Sequence, residues 1–517
     1  MNRGNIVNIL QDLSTNFFDK KILYYYKLEK DKLIQHSLSF KELDDISSSL
    51  AFYLQESGIK RGDRILIFIP VTEYLYIYLL AIFKIGGIAT IIEPTLSLRD
   101  IDYCIRIANP VCFIGMKNLN IYKLFLPSLR KIPFSITADN DDFLSNIKNK
   151  FNFSYKIASL NGDETAIITF TSGSTGVPKG IERSHNSLVI QMEYLKKILN
   201  FSEDDIEMTN LPLFVLNSIA NRIKVVLPYI KNYKLKDIEP SIIWKEIREM
   251  NVNRLTGSPF FIEKIMNMVE KENLIKKIFT GGGIVSSFLV KRLVDLNIDV
   301  NIVYGSTEAE PISIINGREI IKDEEKEGVN VGIPIEDIEL KIIKIEKSNS
   351  IIDFTKSDKS NFIVENGKIG EIIVKGKNVN RSYFKDINAI LYNKIKDIDG
   401  EVYHRTGDTG FIGKNGNLYI TGRKDFSIIL NNEVLNTFYI QNRLNRIKGV
   451  KKSAIIQDKK GKIYIFIEKE KKSRKKLIIS DIKKIIDFDF SIRFLKRIPL
   501  DKRHNTKIDY GKLLKLL

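Results

Sequence analysis

Residues 64–94 read RILIFIPVTEYLYIYLLAIFKIGGIATIIEP, and this stretch contains the pattern that decides the fold. An apolar run of strand length comes first, at residues 64–70. Thr72 then offers an N-cap for a helix-length apolar segment that stops at Gly86. A second apolar run follows at residues 88–92. Strand, helix and strand within about thirty residues form a βαβ unit, which predicts a parallel sheet.

Strand-like runs of the same kind recur further along the chain. They lie at residues 165–169, 277–279 and 300–303, each just before a glycine-containing loop. From about residue 332 to residue 421 the pattern changes to short strands separated by turn residues, which indicates a smaller β-rich subdomain. The sequence therefore predicts an α/β fold in which parallel βαβ layers precede a β-rich part.

The composition is that of a globular protein, with 44% apolar and 28% charged residues. Two cysteines, Cys104 and Cys112, cannot form a disulfide framework, and four widely spaced histidines predict no His-rich metal cluster. The first residues lack the apolar core of a signal peptide, and the most apolar stretch is interrupted by Glu73 and Lys84. We expect a soluble, cytoplasmic protein with no transmembrane segment.

The net charge is +18, and it is concentrated at one end of the chain. Residues 424–517 contain 25 Lys and Arg against 10 Asp and Glu, whereas the preceding 423 residues are close to neutral. This balance raises the alternative of a nucleic-acid-binding protein or of a non-catalytic basic binding protein. The chain has no aromatic-basic recognition module, so we expect no nucleic acid as partner.

The densest set of chemically informative residues is TFTSGSTGVPKG at residues 169–180. Glycines let successive backbone N–H groups form an anion-binding nest, hydroxyls add donors to phosphate oxygens, and Lys179 adds a positive charge. No Gly-Lys-Ser/Thr opens a helix here, so the segment is not a P-loop. The pattern predicts a phosphate-binding loop made of six hydroxyl and glycine residues: Thr171, Ser172, Gly173, Ser174, Thr175 and Gly176.

This loop closely resembles the phosphate-binding motif of the adenylate-forming superfamily, which contains acyl-CoA synthetases, adenylation domains and luciferases. Residues 304–308, YGSTE, match the superfamily's YG-x-TE motif. The resemblance implies that Tyr304 stacks on adenine, Thr307 contacts the α-phosphate of ATP and Glu308 holds Mg²⁺. A single glutamate suits this cation, because Mg²⁺ usually keeps water and substrate oxygens as its other ligands.

Three further segments match in the expected order. HRTGD implies that Asp408 accepts both ribose hydroxyls, GRKD implies that Arg423 lies near ribose and phosphate, and RHNTKID places Lys507 at the C-terminal adenylation lysine. By the same resemblance, Lys507, Glu308 and Thr171 take part in catalysis. The other positions expected to contact the nucleotide are Gly281, Gly282, Gly283, Gly305 and Ser306.

The resemblance extends over residues 38–513 and implies a domain organisation. Residues 1–423 would form an N-terminal adenylation core that includes the β-rich subdomain at about 332–421. Residues 424–517 would form a small, mobile α+β lid domain with its hinge near Asp425. Movement of this lid would withdraw Lys507 and admit an acceptor for the acyl group.

The substrate acid is indicated by a departure from the superfamily pattern. LPLF at residues 211–214 is followed by Val215, Leu216 and Asn217, where acyl-CoA synthetases often have a histidine and amino-acid adenylation domains have an aspartate. Without that aspartate, the α-ammonium group of an amino-acid substrate would remain unpaired in an apolar site, which is costly. The predicted lining comes from this segment and from TGSPFF at residues 256–261, and comprises Phe214, Val215, Asn217, Ser258, Phe260 and Phe261.

The motifs together predict an AMP-forming carboxylic acid ligase that uses ATP and Mg²⁺. We expect it to activate a fatty or other apolar acid to an acyl-adenylate, to release pyrophosphate, and to transfer the acyl group to coenzyme A or to the thiol of an acidic acyl carrier protein. HRTGD, GRKD, DKRHNTKID and LPLFVLNS are also similar to the branch of olefin-pathway β-lactone synthetases. The alternative is therefore cyclisation of a β-hydroxy acid without a thiol.

Overall fold

The computed structural model describes residues 4–151, 155–171, 177–268, 274–283, 285–322, 328–346, 350–431, 433–500 and 508–517, without the side chain of Asn120. The chain forms two compact units. Unit 1 comprises Met1–Thr280, Leu296–Asp299 and Lys377–Ile390, and unit 2 comprises Gly281–Asp295, Val300–Gly376 and Leu391–Leu517.

The α-helices of the described residues are α1 Asn8–Asn16, α2 Phe40–Glu56, α3 Glu73–Lys84, α4 Leu98–Ala108, α5 Tyr122–Phe125, α6 Pro127–Arg130, α7 Asp141–Lys150, α8 His185–Leu199, α9 Pro212–Ala220, α10 Pro240–Met250, α11 Pro259–Met266, α12 Ser287–Asp295, α13 Gly317–Lys322, α14 Ile387–Asn393, α15 Thr437–Asn445, α16 Lys475–Ile485 and α17 Tyr510–Leu514. Among them, no helix combines the length and the apolar character that crossing a lipid bilayer requires.

The strands of the same residues are β1 Lys21–Glu29, β2 Lys32–Ser39, β3 Arg64–Phe68, β4 Ile88–Ile92, β5 Cys112–Gly115, β6 Phe134–Thr137, β7 Thr165–Thr171, β8 Lys179–Ser184, β9 Ile206–Thr209, β10 Lys224–Val226, β11 Arg254–Gly257, β12 Lys277–Gly281, β13 Asp299–Ser306, β14 Ala309–Asn316, β15 Val329–Asn330, β16 Ile333–Pro334, β17 Glu339–Ile343, β18 Gly370–Lys375, β19 Lys394–Lys396, β20 Val402–Ile412, β21 Leu418–Arg423, β22 Ile429–Leu430, β23 Glu433–Val434, β24 Val450–Gln457, β25 Ile463–Lys469 and β26 Ser491–Leu495.

The predicted βαβ unit is present in unit 1. Strands β3 and β4 pair in parallel, and they belong to a sheet with the order β6-β5-β3-β4-β7-β8. All residues of α3 are buried, which agrees with its almost continuously apolar sequence. Thr72 stands at the N-cap position, but its hydroxyl donates to the Pro70 carbonyl instead of capping the helix.

Unit 1 contains strands of a second sheet, in the order β12-β11-β9-β10-β1-β2. Neighbouring strands from β12 to β1 pair in parallel, and β2 closes the edge in the antiparallel direction. Cys104 and Cys112 are buried free thiols in this unit, as expected for small apolar core residues.

Unit 2 contains the predicted β-rich part. Strands β15-β21-β20-β18-β17 form an antiparallel sheet, and β19 adds to β20. Strands β24-β25-β26 form a separate three-stranded sheet with an isoleucine-rich core against α15 and α16. The predicted α/β class is confirmed, while a domain boundary at residue 423 stays a prediction.

Candidate active site

Three residues predicted to contact the nucleotide meet in unit 2. The Tyr304 hydroxyl donates to Oδ2 of Asp408 at 2.8 Å, and Nη1 of Arg423 donates to Oδ1 of the same carboxylate at 2.7 Å. Each carboxylate oxygen can accept a second hydrogen bond. The geometry therefore leaves Asp408 able to receive two vicinal hydroxyl groups while Tyr304 and Arg423 fix its orientation.

The local sequence explains how this carboxylate is held. Asp408 lies in β20 directly opposite Arg423 of β21, so the antiparallel ladder brings the two side chains onto one face. Thr406 supports the turn of the backbone, since its hydroxyl donates to the Ile372 carbonyl and accepts from the Asp408 amide. Tyr304 reaches the pair from β13.

The Asp408 carboxylate stabilises the charged state of Arg423 and the neutral state of Tyr304. The neighbouring Asp408 carboxylate raises the pKa of the Arg423 guanidinium, which therefore stays positively charged. Burial, and secondly the Asp408 carboxylate, raise the pKa of the Tyr304 hydroxyl well above its usual range, so Tyr304 remains a neutral donor. A cation and a neutral hydroxyl around one carboxylate suit the recognition of a sugar beside a phosphate.

The rest of the YGSTE motif forms the end of β13 and the turn into β14. A Cβ atom on Gly305 would come within 2.9 Å of the Ala309 carbonyl oxygen, so only glycine permits this close approach of the strands. The Ser306 hydroxyl is buried and has no hydrogen-bond partner among the described residues. Thr307 and Glu308 form the turn itself.

Lys394 is a residue of this region that sequence reasoning missed. It begins β19, pairs with His404 of β20 and is 4% exposed. Burial lowers the pKa of its ammonium group to about 7, and the Glu308 carboxylate opposes that shift. Lys394 thus lies within the electrostatic reach of Glu308. Nothing in a lysine-rich sequence distinguishes this lysine from its neighbours.

The predicted phosphate loop lies in unit 1, at the end of a hairpin. Thr171, the last residue of β7, pairs with Lys179, the first residue of β8, and the Lys179 ammonium lies 5.8 Å from the centre of the Tyr383 ring. The hairpin therefore places both ends of the loop together. Five of the predicted loop residues lie outside the described part of the chain: Ser172, Gly173, Ser174, Thr175 and Gly176.

The predicted glycine segment follows β12. A Cβ atom on Gly281 would lie 2.3 Å from the Val303 carbonyl oxygen, so this position requires glycine for packing. Gly282 has a positive φ of 76°, and Gly283 continues the bend. These features explain the glycines structurally, and contact with the nucleotide stays a prediction.

The predicted acid-pocket residues are placed on two helices of unit 1. Phe214, Val215 and Asn217 lie in α9, and all three are buried. Residues two apart on a helix point about 200° away from each other, so Val215 and Asn217 occupy opposite sides of α9. Val215 belongs to the main apolar core of unit 1, which separates it from the other two predicted pocket residues.

The second helix, α11, begins with Ser258, whose hydroxyl accepts from the Phe261 amide as an N-cap. Phe261 is fully buried, and its ring occupies the space beside Gly257 where a Cβ atom would otherwise lie. Phe260 is half-buried, with the Lys264 ammonium 5.9 Å from its ring centre. Phe261 is therefore a core residue, whereas the half-buried Phe260 could line a pocket.

Two further predicted residues belong to the C-terminal part of the sequence. Asp425 is exposed and lies in a single 3₁₀ turn, Lys424–Phe426, immediately after β21. The role of Asp425 as a hinge stays a prediction. Lys507 lies outside the described residues, so its predicted role is untested.

Comparison with known proteins assigns the class. Residues 17–384 match the family described as AMP-binding enzyme. The chain therefore belongs to this family, and the predicted resemblance to adenylate-forming enzymes is confirmed.

Two curated relatives show the range of the family. An olefin β-lactone synthetase of Stenotrophomonas maltophilia is 26% identical over 441 residues, which cover 81% of this chain and 78% of the relative. A medium-chain fatty-acid–CoA ligase of Escherichia coli is 23% identical, over 79% of this chain and 71% of the relative.

Among solved structures, O-succinylbenzoate coenzyme A synthetase of Bacillus subtilis in complex with AMP superposes with a TM-score of 0.79. The sequence identity is 19%, and the match covers 99% of this chain and 98% of that one. At this identity the likeness establishes the fold, and it confirms the predicted fold class.

Proposed function

We propose that the protein activates a carboxylic acid with ATP, forming an acyl-adenylate and releasing pyrophosphate. The observation that carries this proposal is the Asp408 carboxylate held between the Tyr304 hydroxyl and the Arg423 guanidinium in a chain of the AMP-binding family. A carboxylate with free acceptor capacity suits the two ribose hydroxyls, and the guanidinium suits the adjoining phosphate.

In the proposed reaction, one oxygen of the acid attacks the α-phosphorus of ATP, and the bond to pyrophosphate breaks. Negative charge grows on the phosphate, so the protein acts by positioning and by electrostatic stabilisation. Lys179 and Lys507 would supply positive charge, while Thr171 and the predicted loop hydroxyls would donate to phosphate oxygens. Tyr304 and Asp408 would hold the nucleoside, with no covalent protein intermediate required.

Glu308 is the residue we assign to Mg²⁺, which would neutralise charge on the phosphates. Its carboxylate is a hard oxygen donor at an accessible turn, and this chemistry fits the cation. Within the described residues there is no cluster of three or more His, Cys, Asp or Glu side chains. The remaining ligands would therefore be water and phosphate oxygens.

The fate of the acyl group defines two candidate functions. In the first, the acid is apolar, and the lid domain turns near Asp425 to admit coenzyme A or the thiol of an acidic carrier protein. In the second, a β-hydroxy acid closes to a β-lactone without a thiol. The similarity to the Stenotrophomonas olefin β-lactone synthetase supports the second candidate.

Acid-dependent ATP–pyrophosphate exchange tests the common first step. We expect exchange with fatty, aryl or β-hydroxy acids and none with proteinogenic amino acids. Mass spectrometry of the products then separates the candidates, since a thioester requires added thiol, whereas a lactone and AMP form without one. Exchange restricted to amino acids would refute the proposed acid, and absence of exchange with every acid would favour a non-catalytic binding protein.

A further inference from the structure

The buried amide of Asn217 lacks one expected interaction. Asn217 lies in the second half of α9 and is fully buried, yet its Nδ2 has no hydrogen-bond acceptor among the described residues. A buried side-chain donor is almost always paired in a native protein, because it has lost its hydrogen bonds to water. This donor therefore calls for an acceptor that is not part of the described chain.

The orientation of the amide is fixed by Asn221, one turn further along. Nδ2 of Asn221 donates to the backbone carbonyl of Asn217 at 2.8 Å. Because a carbonyl oxygen can only accept, the side-chain atom of Asn221 at this position must be its nitrogen. The same nitrogen donates to Oδ1 of Asn217 at 3.3 Å. If the Asn217 amide were flipped, two NH₂ groups would face each other. Oδ1 is therefore the atom already bonded, and Nδ2 is the free donor.

The free donor is separate from the ion network of the neighbouring strands. Ser218 donates its hydroxyl to the buried Glu207 of β9, which also accepts from Thr256 and Arg254. Val215 and Ile219 lie in the apolar core. Asn217 instead shares a helical face with Phe214, three residues earlier. The donor and an aromatic ring thus line the same side of α9.

A pocket that binds an unsubstituted alkyl chain offers no acceptor to a buried donor, so such a donor would reduce the free energy of substrate binding. Leucine has the same branching and the same number of side-chain heavy atoms as asparagine, and it would leave no polar group without a partner. A site that instead bonds a substrate oxygen rejects analogues that lack it, because the protein group is then left unpaired. Asn217 is therefore suited to an acid that carries an oxygen acceptor.

We infer that Asn217 determines substrate specificity by donating from Nδ2 to a hydroxyl or oxo oxygen on the chain of the acid. The substrate class is then hydroxy or oxo acids rather than unsubstituted fatty acids. This inference rests on the proposed function, because it concerns the acid of the same adenylation step.

The test compares kcat/KM in ATP–pyrophosphate exchange for acids matched in chain length. The panel contains unsubstituted, 3-hydroxy, 3-oxo and mid-chain hydroxy acids. We expect the wild-type protein to prefer one oxygenated class by about 100-fold or more over the unsubstituted acid. Asn217→Leu should reduce this ratio to near unity, and AMP binding measured by calorimetry should not change.

A control lies on the opposite side of the same helix. Ile219→Val shortens a core side chain and should leave the ratio between the two acids unchanged. Asn221→Ala releases the Asn217 amide to rotate, so the ratio should fall between those of the wild type and Asn217→Leu. These variants separate loss of the donor from general disturbance of α9.

The outcomes distinguish this inference from the proposed function. Exchange with no acid would refute adenylation itself. Equal wild-type rates for oxygenated and unsubstituted acids would overturn the role of Asn217, and so would a preference that survives in Asn217→Leu. If Asn217→Leu fails to fold, Asn221→Ala takes its place, and an oxygenated-acid preference equal to that of the wild type would overturn the inference.

Discussion

Removal of the Asp408 carboxylate tests the assignment of the nucleoside site. In Asp408→Ala, Tyr304 and Arg423 lose their common acceptor, and the nucleotide loses the group proposed to accept its two ribose hydroxyls. A hydrogen bond to a charged group contributes about 1.5–3 kcal/mol. Loss of two such bonds therefore weakens ATP binding by about 3 kcal/mol or more, a factor of roughly 150.

The same substitution should change the stability of the fold much less. The Arg423 side chain is 40% exposed, so water can solvate the guanidinium after the carboxylate is removed. Because the Asp408 side chain is 16% exposed, the cost should exceed the about 0–1 kcal/mol of a fully exposed ion pair, but it should stay below the loss in nucleotide binding. We expect a large effect on nucleotide binding and a smaller one on thermal unfolding, which distinguishes a binding role from a structural one.

The assay measures KM for ATP and for 2′,3′-dideoxy-ATP in pyrophosphate exchange, using wild type and Asp408→Ala. If Asp408 accepts from the ribose hydroxyls, wild type should prefer ATP strongly, and the variant should hardly distinguish the two nucleotides. Asp399→Ala is a matched control, since it removes another carboxylate of the β-rich part that is bonded to Lys375. Equal discrimination by wild type and Asp408→Ala would refute the assignment.

Four further perturbations test other features. Lys507→Ala should abolish exchange while ATP still binds in calorimetry, because this lysine acts on developing charge; the same loss in Lys512→Ala would contradict a specific role. Glu308→Gln should raise the Mg²⁺ concentration needed for half-maximal exchange. An unchanged Mg²⁺ requirement would show that Glu308 does not bind the metal. Burial raises the pKa of the Glu246 carboxyl from its ordinary value near 4.5 to about 8, so this group should reduce stability progressively as pH rises between these values. Glu246→Gln should therefore raise Tm at pH 8 relative to wild type, with less benefit at pH 5, and an equal gain at both values would contradict this. The exposed basic residues of the segment 469–476 are expected to attract the negatively charged coenzyme A or carrier protein over a distance. Neutralising them should therefore flatten the salt dependence of acyl transfer and leave exchange unchanged. Equal salt sensitivity of both steps would contradict this electrostatic attraction.

Local patterns in the sequence were enough to predict several elements. Hydrophobic runs and turn residues predicted β3, α3 and β4 within one or two residues, because burial on both sides of a parallel strand demands a continuous apolar run. Capping was predicted less well. Thr72 occupies the expected position, but its hydroxyl bonds backward to Pro70, a choice that depends on the backbone before the helix.

In the candidate site, too, local motifs predicted which residues matter but not the contacts that these residues make. Motif order predicted that Tyr304, Asp408 and Arg423 contact the nucleotide. It did not predict that a tyrosine hydroxyl and a guanidinium share one carboxylate. The pocket prediction treated Phe214, Val215 and Asn217 alike. Helix geometry and packing against the core separate Val215 from the other two, because neighbouring positions on a helix face different surroundings.

The sequence by itself determined the class of protein, since phosphate loops and nucleotide motifs are contiguous segments whose chemistry depends on residue type and spacing. It also determined the α/β order, through the periodicity of apolar residues. Only the tertiary structure decided which distant groups meet. The burial of Lys394 near Glu308 and the free donor of Asn217 depend on contacts and on exclusion of water. These properties arise when chain segments far apart in sequence pack together, and no local pattern encodes them.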